Sequence, residues 1–103
     1  MFDEDKILVS GASQEYIYRN MCCANAKKVA HVCTTIMNAL QNYTVPEQLL
    51  GIAALMVLLY ERYGIRPVEA LNVADNIIED SRNNKNIVEF NAISQYFKSE
   101  WNV

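Results

Sequence analysis

Four side chains in this sequence have chemistry of their own to offer: Cys22, Cys23, His31 and Cys33. Thiolate and imidazole are preferred zinc ligands, and a thiol beside a histidine is the core of many nucleophilic sites. The spacing argues against both. If residues 14–42, QEYIYRNMCCANAKKVAHVCTTIMNALQN, form one helix, Cys22 and Cys33 share a face but stand roughly 16 Å apart along the axis. His31 points to the opposite side. Groups so spread cannot close one tetrahedral site within a chain. His31 is also the single histidine, and the carboxylates fall on predicted wet faces, so no acid–base pair is evident. The expectation is a chain without metal, cofactor or catalytic set.

A second candidate is LLYERYGIRPVEALNVADNII, residues 58–78, which reads as a helix, a glycine turn and another helix. A DNA-reading helix-turn-helix wants a short first helix, a small residue near the turn and base-reading side chains at the start of the second. Here the preceding helix is long and apolar, and Tyr60 stands where a small residue is wanted. Glu69 and Asp75 would repel phosphate, and no Arg, Lys or Gln is placed to read a groove. An ordinary corner closed by Gly64 and Pro67 fits better. Arg62 and Arg66 flank that corner beside Tyr60, Tyr63 and the first amides of the following helix, so a small anion or nucleotide phosphate could bind there. No Gly-rich cradle or phosphate-binding lysine accompanies them, and helix-dipole pairing is the plainer account of the arginines.

The elements that would position these residues are helical. Ser10 and Ser13 are candidate caps for the first, whose residues Cys22, Ala26, Val29, Cys33, Ile36 and Leu40 form an apolar stripe widened by Cys23, Ala30 and Met37. Lys27, His31, Thr34, Asn38 and Gln41 form its polar face. TVPE at 44–47 predicts a second helix with a capping box, running to about Tyr63, with Gly64 as its left-handed stop. Pro67 opens a third, apolar along Val68, Leu71, Ala74 and Ile78, flanked by Ala70, Val73 and Ile77, and ending near the polar loop EDSRNNKN. Asn86, three residues before Glu89, is a candidate cap for a last helix striped with Phe90, Ile93, Tyr96, Phe97 and Trp101.

Composition agrees. The 103 residues suit one domain, and 51% hydrophobic against 20% charged residues is the balance of a globule, not of a disordered chain. Only 3 Gly and 2 Pro favour long helices. A net charge of −3 offers no general attraction to nucleic acid or anionic lipid. Three cysteines among apolar helical residues suggest buried, reduced thiols and hence a reducing cytoplasm. The acidic opening MFDEDK is unlike a secretory signal, the run Leu49–Tyr60 is too short to cross a bilayer, and KILVS at 6–10 is too short to assign as a strand.

The strongest signal lies in the second helix. Ten aliphatic or Met side chains fall between Leu49 and Leu59, with only Gly51 interrupting. A helix apolar on every side must be covered on every side. In a monomer the three other helices can surround it; otherwise one face meets a partner or a second copy. Six tyrosines and one tryptophan are residue types enriched at protein interfaces, although the same side chains also cap the periphery of a core.

The fold class expected is all-α: a compact bundle of about four helices over residues 13–103, preceded by a short acidic N-terminal arm at 1–12. The function expected is a non-enzymatic protein–protein interaction module of adaptor or inhibitor type, assembled as a homo-oligomer. Tyr60, Arg62, Tyr63, Arg66 and Trp101 are the residues expected to meet a partner. One alternative is a dimeric helix-turn-helix-like nucleic-acid-binding regulator, in which two copies bring Arg62, Arg66 and Lys85 together. Another is a small anion or nucleotide binder at the 62–67 corner. In size and lack of a catalytic set the chain resembles the small accessory or inhibitory proteins of phages and mobile elements, a likeness of type that rests on no motif.

Overall fold

The computed structural model describes residues 11–84 and 86–100, with side chains from residue 14 onward. Ile7–Val9, Ser10, Lys85 and Trp101 lie outside the described residues. Among the described residues five α-helices follow one another: α1 (Gly11–Cys22), α2 (Ala26–Leu40), α3 (Val45–Tyr63), α4 (Pro67–Arg82) and α5 (Glu89–Ser99). The described residues contain no strand. The fold is all-α, with one helix more than expected.

The extra helix comes from a break inside the predicted first one. Asn25 takes an extended backbone (φ −73°, ψ 119°), and its side chain accepts from the Lys28 amide at 3.1 Å. Asparagine competes well for such local bonds, so it starts a new helix where the apolar period alone suggests continuation. α1 itself begins at Gly11, which places Ser13 within the helix and not at its cap.

α3 has the ends its sequence predicts. Thr44 Oγ1 accepts from the Glu47 amide at 3.3 Å while Glu47 Oε1 accepts from the Thr44 amide at 2.9 Å. At the other end Gly64 sits at φ +80° and donates to the Tyr60 carbonyl at 2.8 Å. A Cβ at Gly64 would run into the Gln14 side chain of α1, so glycine is needed for backbone shape and for that close approach. α4 then leaves at 111° from Pro67. α5 starts at Glu89, not at Asn86: the Asn84 side chain accepts from the Asn86 amide at 2.9 Å in a turn that delays the helix.

The core forms where α2, α4 and α5 meet, around Ala30, Met37, Val73 and Phe90. Two predicted stripes are rotated from their expected centres. In α2 the buried line runs through Ala30 and Met37, leaving Ile36 exposed and Cys22, which belongs to α1, in solvent. In α4 it runs through Val73 and Ser81, with Val68 and Leu71 exposed. Ser81 is as fully buried as Ala30, its hydroxyl satisfied by the Ile78 carbonyl at 2.8 Å.

Candidate interaction surface

α3 is not surrounded. It packs principally on α4, and along its length the only buried residue is Gln48. Leu49, Leu50, Ile52, Leu55, Val57, Leu58 and Leu59 are each between 40% and 70% exposed, Leu50 most of all. This corrects the expectation that the other helices could enclose it. With short loops fixing α3 between α2 and α4, those neighbours reach only its inner side. Burying a large aliphatic side chain fully is worth roughly 1.5–3 kcal/mol, so covering seven that are about half exposed is worth on the order of 7 kcal/mol. That is comparable with the whole stability of a small domain. No charged residue interrupts the surface from Gln48 to Tyr60.

Gln48 is a residue that the sequence pattern gave no reason to single out. Its amide donates to the Leu40 carbonyl at 2.9 Å and the Tyr43 carbonyl at 3.0 Å. Helix C-termini leave carbonyls without partners, and Gln48 satisfies two of them while fixing the direction in which α3 departs from α2. Beside it, Val29, Ile36, Leu49, Ile52 and Phe97 line an open groove of about 440 Å³ between α2, α3 and α5. Its walls are almost wholly apolar, continuing the uncovered surface of α3.

At the far end of α3 lies the corner. Tyr60 and Arg62 are exposed, Tyr63 is half-buried, and the Arg62 guanidinium lies 6.0 Å from the Tyr63 ring centroid, at the limit of a cation–π contact. Arg66 pairs with Glu69 at 3.6 Å, and Glu69 Oε1 also accepts from the Arg66 amide at 3.2 Å. The Glu69 carboxylate thus occupies the helix N-terminus where a phosphate would sit. The structure therefore brings Tyr60, Arg62, Tyr63 and Arg66 to one corner, whereas Trp101 lies outside the described residues. Gln14, Glu15 and Tyr18 of α1 border the same corner across a hollow of about 300 Å³. Cys22 beside Tyr18 holds the phenol above its usual range, by the charge of its thiolate form and by a hydrogen bond, with slight burial and Glu69 adding to the effect.

The thiols do not form a centre. Cys22 and Cys23 are exposed at the end of α1, against the expectation of burial, because the break at Asn25 ends the stripe that would have covered them. Cys33 is half-buried in α2, and burial pushes its thiol up, which makes it a weaker nucleophile at neutral pH. Among the described residues no three His, Cys, Asp or Glu side chains come together as metal ligands.

The polar face of α2 has a different setting from the one expected. Lys27, His31, Thr34 and Asn38 wall a cleft of about 540 Å³ opposite Glu89, Ile93 and Tyr96 of α5. Gln41 donates to the Tyr96 hydroxyl at 3.1 Å across that junction, and Glu89 Oε1 is buried without a hydrogen-bond partner among the described residues. Sequence reading missed this cleft because its two walls lie more than 50 residues apart along the chain, as the Gln41–Tyr96 bond shows. No single helix among the described residues is long and apolar enough to cross a membrane. No protein-family model matches the chain, nor does any curated protein or solved structure.

Proposed function

We propose that this chain is a non-enzymatic protein–protein interaction module, of adaptor or inhibitor type, acting through the apolar surface of α3 and the aromatic corner that ends it. The observation that carries this reading is the run of seven aliphatic side chains on α3 left half-exposed. Soluble domains rarely expose so large a contiguous apolar area unless something binds it. Tyr60, Arg62, Tyr63 and Arg66 add rigid aromatic and guanidinium contacts at one end, residue types that concentrate binding energy. Against an enzyme stand a single histidine, the exposed His31, and a Cys33 thiol made less reactive by burial. Three unpaired thiols suit a reducing cytoplasm, where we place the protein.

The test is light scattering on a sizing column at two concentrations, together with binding of a dye that fluoresces on apolar surfaces. The reading expects either assembly into a larger species or strong dye binding. A monomer that ignores the dye would refute it.

One observation favours a second reading, a dimeric helix-turn-helix-like nucleic-acid regulator: the 111° between α3 and α4 falls within the range such motifs use. The Arg66–Glu69 pair and the acidic start of α4 oppose it. Fluorescence polarisation with labelled duplex at low salt decides the matter; no binding, or binding unchanged by Arg62→Ala with Arg66→Ala, removes it.

A further inference from the structure

Among the described residues, one glycine has no role within its own chain. Gly51 lies inside α3, where glycine is a poorer helix former than alanine. Its backbone has an ordinary helical conformation, for among the described glycines only Gly64 has positive φ. A Cβ added at Gly51 would meet nothing within 4 Å. Neither turn geometry nor packing against this chain requires it. Ala54 follows on the same side of the helix, and Leu50 and Leu58, 70% and 59% exposed, project on either side of that shallow stretch. The outward face of α3 thus carries two knobs around a hollow, a shape complementary to itself.

Resting on the reading of α3 as an interface, we propose that its occupant is a second copy of this chain. The two α3 helices cross antiparallel about a two-fold axis near Ala54, with Leu58 of each copy seated over Gly51 of the other. Three features select this occupant. First, Leu49, Leu50, Leu55, Val57 and Leu58 lie on the outer side and flanks of α3 and are 49% to 70% exposed, on the order of 500 Å² per copy, so that two copies reach the roughly 1,000 Å² a specific interface needs. Second, the surface is aliphatic and uncharged, the character of permanent homodimer interfaces and not of transient ones, which are as polar as the rest of the surface. A surface that must be covered whenever the chain is folded needs a partner made with it, and a second copy meets that condition. Third, a two-fold axis across a helix makes the pair antiparallel, the arrangement in which the helix dipoles attract, and it gives a closed dimer.

The experiment is sedimentation equilibrium of the full chain from about 1 to 100 μM, with circular dichroism and dye binding on the same samples. The wild type is expected at twice the chain mass. Leu50→Glu with Leu58→Glu is expected to raise the dissociation constant at least a hundredfold while helicity stays unchanged, because both side chains are already exposed in the single chain. Gly51→Leu is expected to raise it at least tenfold by filling the hollow, although within one chain the new side chain starts in open space. Gly51→Ala controls for helix propensity. A dimer that dissociates in both variants, with the fold retained, supports the proposal. A wild type that is monomeric at 100 μM, a trimer or larger species, or a dimer indifferent to both variants overturns it. A monomer that binds the dye would remove the second copy and leave the interaction reading standing; a monomer that does not would remove both.

Discussion

Replacing Gln48 by methionine keeps the length and volume of the side chain and deletes its two donors. In the native chain those donors reach the Leu40 carbonyl at 2.9 Å and the Tyr43 carbonyl at 3.0 Å, at a residue that is 9% exposed. The Leu40 carbonyl keeps a second partner, the Tyr43 amide at 3.1 Å, so its loss is partial. The Tyr43 carbonyl loses its bond from Gln48 at a part-buried position, where a group left unsatisfied costs about 1–3 kcal/mol. Adding a small net term for the first bond and subtracting a little for the more apolar side chain leaves a destabilisation of about 2 kcal/mol. For a domain of this size that corresponds to a melting temperature lower by roughly 8–16 °C. The assay is urea unfolding followed by circular dichroism, with wild type and Gln48→Met at one protein concentration, because self-association would add a mass-action term. The slope with urea should stay constant while the midpoint falls. A Gln48→Met protein within about 0.5 kcal/mol of wild type would refute the argument that this side chain ties α3 to the end of α2.

Gly64→Ala should destabilise by about 1–2 kcal/mol from the left-handed backbone alone, and more from the encounter with Gln14; Gln14→Ala in the same chain should recover only the second part in a thermal melt. Of the three thiols, Cys22 and Cys23 should react rapidly with a chromogenic disulfide reagent and Cys33 slowly; three equal rates under native conditions would contradict the burial of Cys33. Because burial raises the Cys33 thiol, the folded chain holds a proton that the unfolded chain releases. Its contribution to stability is complete below the ordinary thiol value of about 8.5 and is lost as the pH rises through the raised one. Melting temperatures from neutral to alkaline pH should therefore fall more steeply for wild type than for Cys33→Ala, and equal slopes would count against it. Thr44→Ala should cost about 1 kcal/mol through loss of the capping box, measurable by the same urea titration.

The reach of the sequence follows the range of the interaction concerned. Both ends of α3 and the start of α4 were legible because a capping box, a left-handed glycine and a first-turn proline act within four residues of themselves. The all-round apolar character of α3 was equally plain, since it is a property of side chains in order. The break at Asn25 was harder to read, for there a local asparagine bond competes with an apolar period that runs on through it. What no local pattern contains is which side of a helix its neighbours reach. That decided the rotation of the buried faces of α2 and α4, the exposure of Cys22 and Cys23, and the role of Gln48, whose partners belong to the preceding helix and turn. It also turned the polar face of α2 into a cleft wall by bringing α5 opposite. The order of side chains makes α3 apolar on every side, whereas only the packing of the helices leaves most of that surface open, because the core closes among α2, α4 and α5 while the corner at Gly64 and Pro67 swings α3 to one side.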